Sequence, residues 1–102
     1  MEKQQAIEIK TDERIYRVHQ LKTVQPYFND VAEKRMTFEI RKFDKDFNVG
    51  DVLLLSEYDP VTDKLRVGVW REVTHMLSDQ PYVPEGYVAL SMKETEIAIP
   101  FV

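Results

Sequence analysis

The run Thr37-Phe38-Glu39-Ile40-Arg41, Lys42-Phe43-Asp44-Lys45-Asp46-Phe47, Asn48-Val49-Gly50-Asp51 and Val52-Leu53-Leu54-Leu55 decides the fold class of this chain. Its first five residues alternate, with Phe38 and Ile40 apolar and Thr37, Glu39 and Arg41 polar. Successive strand side chains point to opposite faces, so this is a half-buried strand with Phe38 and Ile40 expected on the core side. Residues 42–47 read as a charged loop carrying two aromatics, and Asn48 to Asp51 as a turn. Val52 to Leu55 is apolar on both faces, which predicts a central, buried strand.

Upstream, Ile15, Tyr16, Val18 and Leu21 predict a strand over 15–21. Thr23 is a helix-capping type, and Pro26 fits a first turn, where a missing N–H costs little. Phe28, Val31 and Ala32 fall at i, i+3 and i+4, so a single amphipathic helix is expected over 24–34. Residues 1–14 form a polar arm, with a short edge strand at 6–10 or a frayed tail as the two readings.

Downstream, 58–64 and 80–86 read as loops, and 65–77 as a long strand. Its alternation loses phase near Trp70-Arg71 and resumes at Val73, which predicts a bulge or bend there. Residues 87–92 form a further strand. Ile97, Ile99 and Phe101 suggest a last one over 97–101, which Pro100 confines to an edge. Five or six short strands with one main helix make an α+β chain, and the expected architecture is a small β-barrel with the helix beside it. Residues 15–102 form one domain.

Composition removes whole classes of function. The 102 residues contain no cysteine, which excludes a disulfide framework, a thiolate zinc site and a cysteine nucleophile. No apolar run approaches the roughly 20 residues of a membrane-spanning helix. The polar start Met1 to Gln5 is not that of a secretory signal, so the cytoplasm is the expected compartment. The net charge of −4 argues against a uniformly basic nucleic-acid binder, though not against a local basic patch.

Such a patch exists. Between Lys34 and Lys45 stand Lys34, Arg35, Arg41, Lys42 and Lys45 against Glu39 and Asp44. It reads either as an anion-binding surface, with Arg41 suited to bidentate contact, or as a solvated loop with local ion pairs. Thr37, Glu39 and Arg41 share a strand face that either lines a cleft or is the wet side of a sheet. His19 and His75 have no metal-ligand spacing, so no metal and no cofactor are expected. Ser56, Ser78 and Ser91 lack a Gly-x-Ser-x-Gly setting, and there is no glycine-rich phosphate loop. Phe47, Trp70 and Tyr87 read as core residues. Phe43, Tyr58 and Tyr82, in or beside loops, either pack or stack on a base.

The series His19-x-Leu21-Lys22, Tyr27-Phe28, Thr37 to Lys42, Asp44, Asp46-Phe47, Val49-Gly50-Asp51, Leu53-x-Leu55-x-Glu57-Tyr58-Asp59, Val73-Thr74 and Gly86-Tyr87-Val88-x-Leu90 resembles a small bacterial and phage family of unknown function, DUF3850. The resemblance covers about residues 15 to 93. It implies an ASCH- or PUA-like barrel, and with it binding of RNA or of a modified nucleoside, DNA being the further possibility. The ASCH group that the chain resembles has one branch containing amidohydrolases that remove acyl groups from modified cytidine. Its Lys and Thr positions correspond to Met36 and Glu39 here, and a methionine supplies neither base nor cation, so that mechanism does not transfer as written.

Patch and resemblance together predict a nucleic-acid-binding site between barrel and helix. Lys22, Arg35, Arg41, Lys42 and Lys45 are expected on phosphate, and His19, Glu39 and Tyr58 on a base. Glu39 is also the one candidate general base, for an enzyme acting on a modified nucleoside. A protein-interaction adaptor is the third reading. Neither a membrane partner nor a particular oligomeric state is expected.

Overall fold

The computed structural model describes residues 2–97. The strand expected over 97–101, apart from Ile97, lies outside the described residues.

The strands are β1 (Ile7–Lys10), β2 (Ile15–Thr23), β3 (Phe38–Lys42), β4 (Val52–Asp59), β5 (Lys64–Leu77) and β6 (Tyr87–Glu94), with a helix α1 (Tyr27–Ala32) between β2 and β3. They form one mixed sheet in the order β1-β2-β4-β5-β6-β3. Only β2 and β4 run parallel, because the chain between them carries α1 and β3 across before returning. The backbone pairing is open, with β1 and β3 at its two ends.

The central position of β4 explains the apolar run Val52 to Leu55 in its first half. Leu53 and Leu55 pack into the main core with Leu21, Val31, Phe47, Val73, Val88, Leu90 and Met92. Val52 and Leu54 face the other way, into a smaller cluster with Val18 and Ile97. Full burial of one such side chain is worth about 1.5–3 kcal/mol relative to exposure, so β4, buried on both faces, anchors the sheet.

The alternation in β3 has the opposite sense to the expected one. Phe38 and Ile40 are 47% and 50% exposed, whereas Glu39 is 4% exposed. Register is the cause. Glu39 pairs with Leu90 and Arg41 with Val88 across the β3–β6 ladder, and cross-strand partners share a face. Leu90 and Val88 are fully buried, so their partners are carried to the core side; Phe38 and Ile40, opposite Ser91 and Ala89, are carried outward.

The helix is shorter than the expected 24–34. β2 runs on to Thr23, whose hydroxyl donates to the Leu21 carbonyl and caps nothing. Pro26 occupies the N-cap position without a side-chain hydrogen bond. At the other end Lys34 takes φ 67°, and the N–H groups of Arg35 and Met36 both turn back to the Asp30 carbonyl, 2.9 Å each. Phe28 and Val31 are the buried pair, and Arg71 Nη2 donates to the Val31 carbonyl at 2.9 Å.

The bulge also lies elsewhere. Pairing of β5 with β6 shifts between Val73 and His75, and pairing of β4 with β5 shifts between Ser56 and Tyr58, while Trp70 and Arg71 stay in regular register with Leu54 and Leu53. The broken hydrophobic phase at Trp70-Arg71 instead reflects burial: Trp70 packs against the smaller cluster and Arg71 caps α1.

β1 pairs antiparallel with the first half of β2, and the residues before it dock on the loop after β3. Gln4 donates to the Asp44 carbonyl and accepts from the Asp46 N–H, at 2.8 and 2.9 Å. Ala6 N–H donates to Asp46 Oδ1 at 2.9 Å.

Candidate nucleotide-binding clefts

The sheet curls until β3 approaches the second half of β2, where no backbone ladder joins them among the described residues. The side chain of Arg41 crosses the gap. Its Nη1 donates to the Lys22 carbonyl at 2.9 Å, and its Nη2 to Thr23 Oγ1 and Glu39 Oε1 at 3.2 and 3.3 Å. Two clefts flank this bridge, both bordered by Lys22, Ile40 and Arg41.

The first, about 400 Å³, has Val24, Tyr27, Met36, Phe38 and Ile40 as walls and Thr23 and Glu39 at its polar floor. It is open yet largely apolar, the character of a site for a small planar ligand with a few placed polar groups. Burial pushes the Glu39 carboxyl above its usual range, opposed by the charge and hydrogen bond of Arg41. The second cleft, about 450 Å³, brings Lys42 and Lys45 to Lys22 and Arg41, with Asp44 the acidic residue on its lining. Lys45 Nζ also donates to Gln4 Oε1 from the N-terminal arm.

Of the residues expected from sequence, Lys22, Glu39, Arg41, Lys42 and Lys45 therefore converge. Three others do not line these clefts. His19 is 3% exposed; its Nε2 lies 2.8 Å from Asp51 Oδ2 and its ring 4.7 Å from that of Phe47. The same Asp51 accepts from Arg17 Nε and the Asn48 N–H, both at 2.9 Å. Side-chain parity separates it from Lys22: three residues apart on β2, the two point to opposite faces. Arg35 is held outside by Asp30, 3.0 Å away, and by Glu33. Tyr58 lies beside Lys22, whose Nζ is 4.7 Å from its ring centroid, and its hydroxyl donates to Asp63 Oδ1 at 2.6 Å.

Thr23, Tyr27 and Phe38 are cleft residues that sequence reasoning assigned to a cap, to no role and to the core. The available signal was the order of residue types at 36–41, but only the β3–β6 register reveals that Phe38 faces outward.

No curated protein matches this chain. The family model described as a domain of unknown function, DUF3850, matches residues 18–92, a span that contains both cleft-forming segments of β2 and β3. On that match over most of its length, the chain belongs to the DUF3850 family.

Proposed function

We propose that this protein binds a phosphate-bearing nucleoside, as part of single-stranded RNA or as the free nucleotide, across the Arg41 bridge. One observation carries the reading: a cleft with aromatic walls and a buried hydrogen-bonding group adjoins a cleft with four cationic side chains. The base lies between Tyr27 and Phe38, over Glu39. Its phosphate lies toward Lys22, Lys42 and Lys45. Aromatic faces accept any base by stacking, and lysines supply sequence-independent attraction to phosphate. Arg41, committed to β2, acts as the divider between the two. The curled six-stranded sheet with its helix is read here as a PUA-like, ASCH-like barrel, whose seam the Arg41 side chain spans.

The test is an amide NMR titration with short single-stranded RNA at increasing salt. Shifts at residues 22–27, 36–45 and 87, weakening as salt rises, are expected. Binding that ignores salt, or shifts spread over the whole surface, refutes the reading.

A second reading rests on Glu39 alone. A buried carboxyl with its pKa raised, facing a cleft beside Lys22 and Thr23, has the setting of a general acid or base. Turnover of an acylated nucleoside that disappears in Glu39→Gln would establish it; turnover unchanged in that variant removes Glu39 as the base.

A further inference from the structure

We propose that the apolar cleft selects guanine, with the Glu39 carboxylate accepting from the N1–H and the N2 amine of the base. The inference rests on the nucleotide reading above and adds the identity of the base.

Glu39 Oε1 accepts from Arg41 Nη2, whereas Oε2 makes no such bond among the described residues. No described side-chain oxygen is both fully buried and unpartnered. Oε2 therefore opens into the cleft that Glu39 lines. A carboxylate is an acceptor with several lone pairs and nothing to donate. Set among Tyr27, Phe38, Ile40, Met36 and Val24, it offers a ligand an acceptor in an otherwise largely apolar lining.

The bases differ in the donors they bring. Guanine carries two adjacent donors on one edge, N1–H and the N2 amine, which match the two oxygens of a carboxylate side by side. Adenine and cytosine place a ring-nitrogen acceptor next to their amine, and that lone pair faces the carboxylate unfavourably. Uracil has a single N–H set between two carbonyl acceptors. The discrimination comes from that mismatch, because an acceptor set against the carboxylate forms no hydrogen bond there and meets its negative charge.

The test titrates the labelled full chain at low salt with GMP, IMP, AMP, CMP and UMP, and with the oligomers UUGUU and UUUUU. GMP is expected to bind about tenfold more tightly than AMP, CMP or UMP, with IMP, which lacks the N2 amine, between them. UUGUU binding more tightly than GMP assigns the guanine to RNA; the reverse assigns it to the free nucleotide. In Glu39→Gln, checked for folding by its amide spectrum, GMP is expected to fall to the level of UMP. The GMP and IMP comparison needs no variant. Equal binding of all five nucleotides overturns the guanine assignment and leaves the nucleotide reading in place. Binding of none of them, nor of either oligomer, overturns both.

Discussion

Arg41 Nη1 donates to the Lys22 carbonyl over 2.9 Å, and this side-chain bond joins two strands that share no ladder among the described residues. The same guanidinium faces Glu39, whose side chain is 6% exposed against 25% for Arg41. One side chain thus closes the gap and offsets a buried charge. Removing one partner of such a pair leaves the other uncompensated, which costs more than the pair itself contributes. Arg41→Ala should lower unfolding stability by about 2–3 kcal/mol, less than a fully buried pair because Arg41 is partly solvated. Arg41→Ala with Glu39→Ala should cost less than the sum of the single changes. Urea denaturation of the four proteins measures this, and strict additivity would show that the two side chains are not coupled.

Glu39 also sets a pH dependence with a definite sign. Its folded pKa lies above the ordinary value of 4.5, chiefly through burial, so the folded state holds the proton more tightly than the unfolded one. The stability contributed by the protonated form is fully present below that ordinary value and is lost as pH rises through the folded pKa. Glu39→Gln should therefore gain on the native chain as pH increases from 4 toward neutrality. Thermal melts at a series of pH values decide the point, and parallel curves for the two proteins would contradict it.

Asp46 works in the opposite sense. Burial pushes its carboxyl up, but the hydrogen bond and charge of Arg17, together with the Ala6 N–H, outweigh it and hold the pKa below the ordinary 3.8. Its contribution is present above that ordinary value and disappears as pH falls through the folded pKa. Asp46→Asn should lose stability relative to the native chain at neutral pH and converge with it in acid. Hydrogen exchange at Ala6 should quicken in Asp46→Ala, which removes the Oδ1 that accepts from the Ala6 N–H. Unchanged exchange there would mean that the arm is held by other bonds.

Lys42 at the end of β3 and Lys45 in the loop after it should act additively on phosphate affinity. Each of Lys42→Ala and Lys45→Ala is expected to weaken RNA binding alike for all sequences and to reduce the salt slope by about one. Fluorescence anisotropy over a range of salt concentrations reads both effects. An intact slope in the double variant would remove these lysines from the phosphate contact.

Much of the architecture was written in local pattern. Val52 to Leu55, apolar on both faces, can lie only inside the sheet, and β4 does. The Lys34 to Lys45 segment announced a positive patch, and Lys42 and Lys45 do line the basic cleft while Arg35 is drawn off by Asp30 and Glu33. Parity along β2 is what parts His19 from Lys22, which the sequence reading places in one site, because a strand alternates faces whatever its neighbours are. The direction of β3 was beyond local pattern. Phe38 and Ile40 look like a core face, yet pairing with Leu90 and Val88 turns Glu39 and Arg41 inward. That choice belongs to register, which is set by contacts between residues some fifty positions apart and can override a strand's own hydrophobicity. From the sequence alone came the strands, the helix and the cationic segment. Tertiary pairing decided which face of β3 meets the core, and with it the aromatic walls, the buried carboxylate and the Arg41 bridge that together make the site.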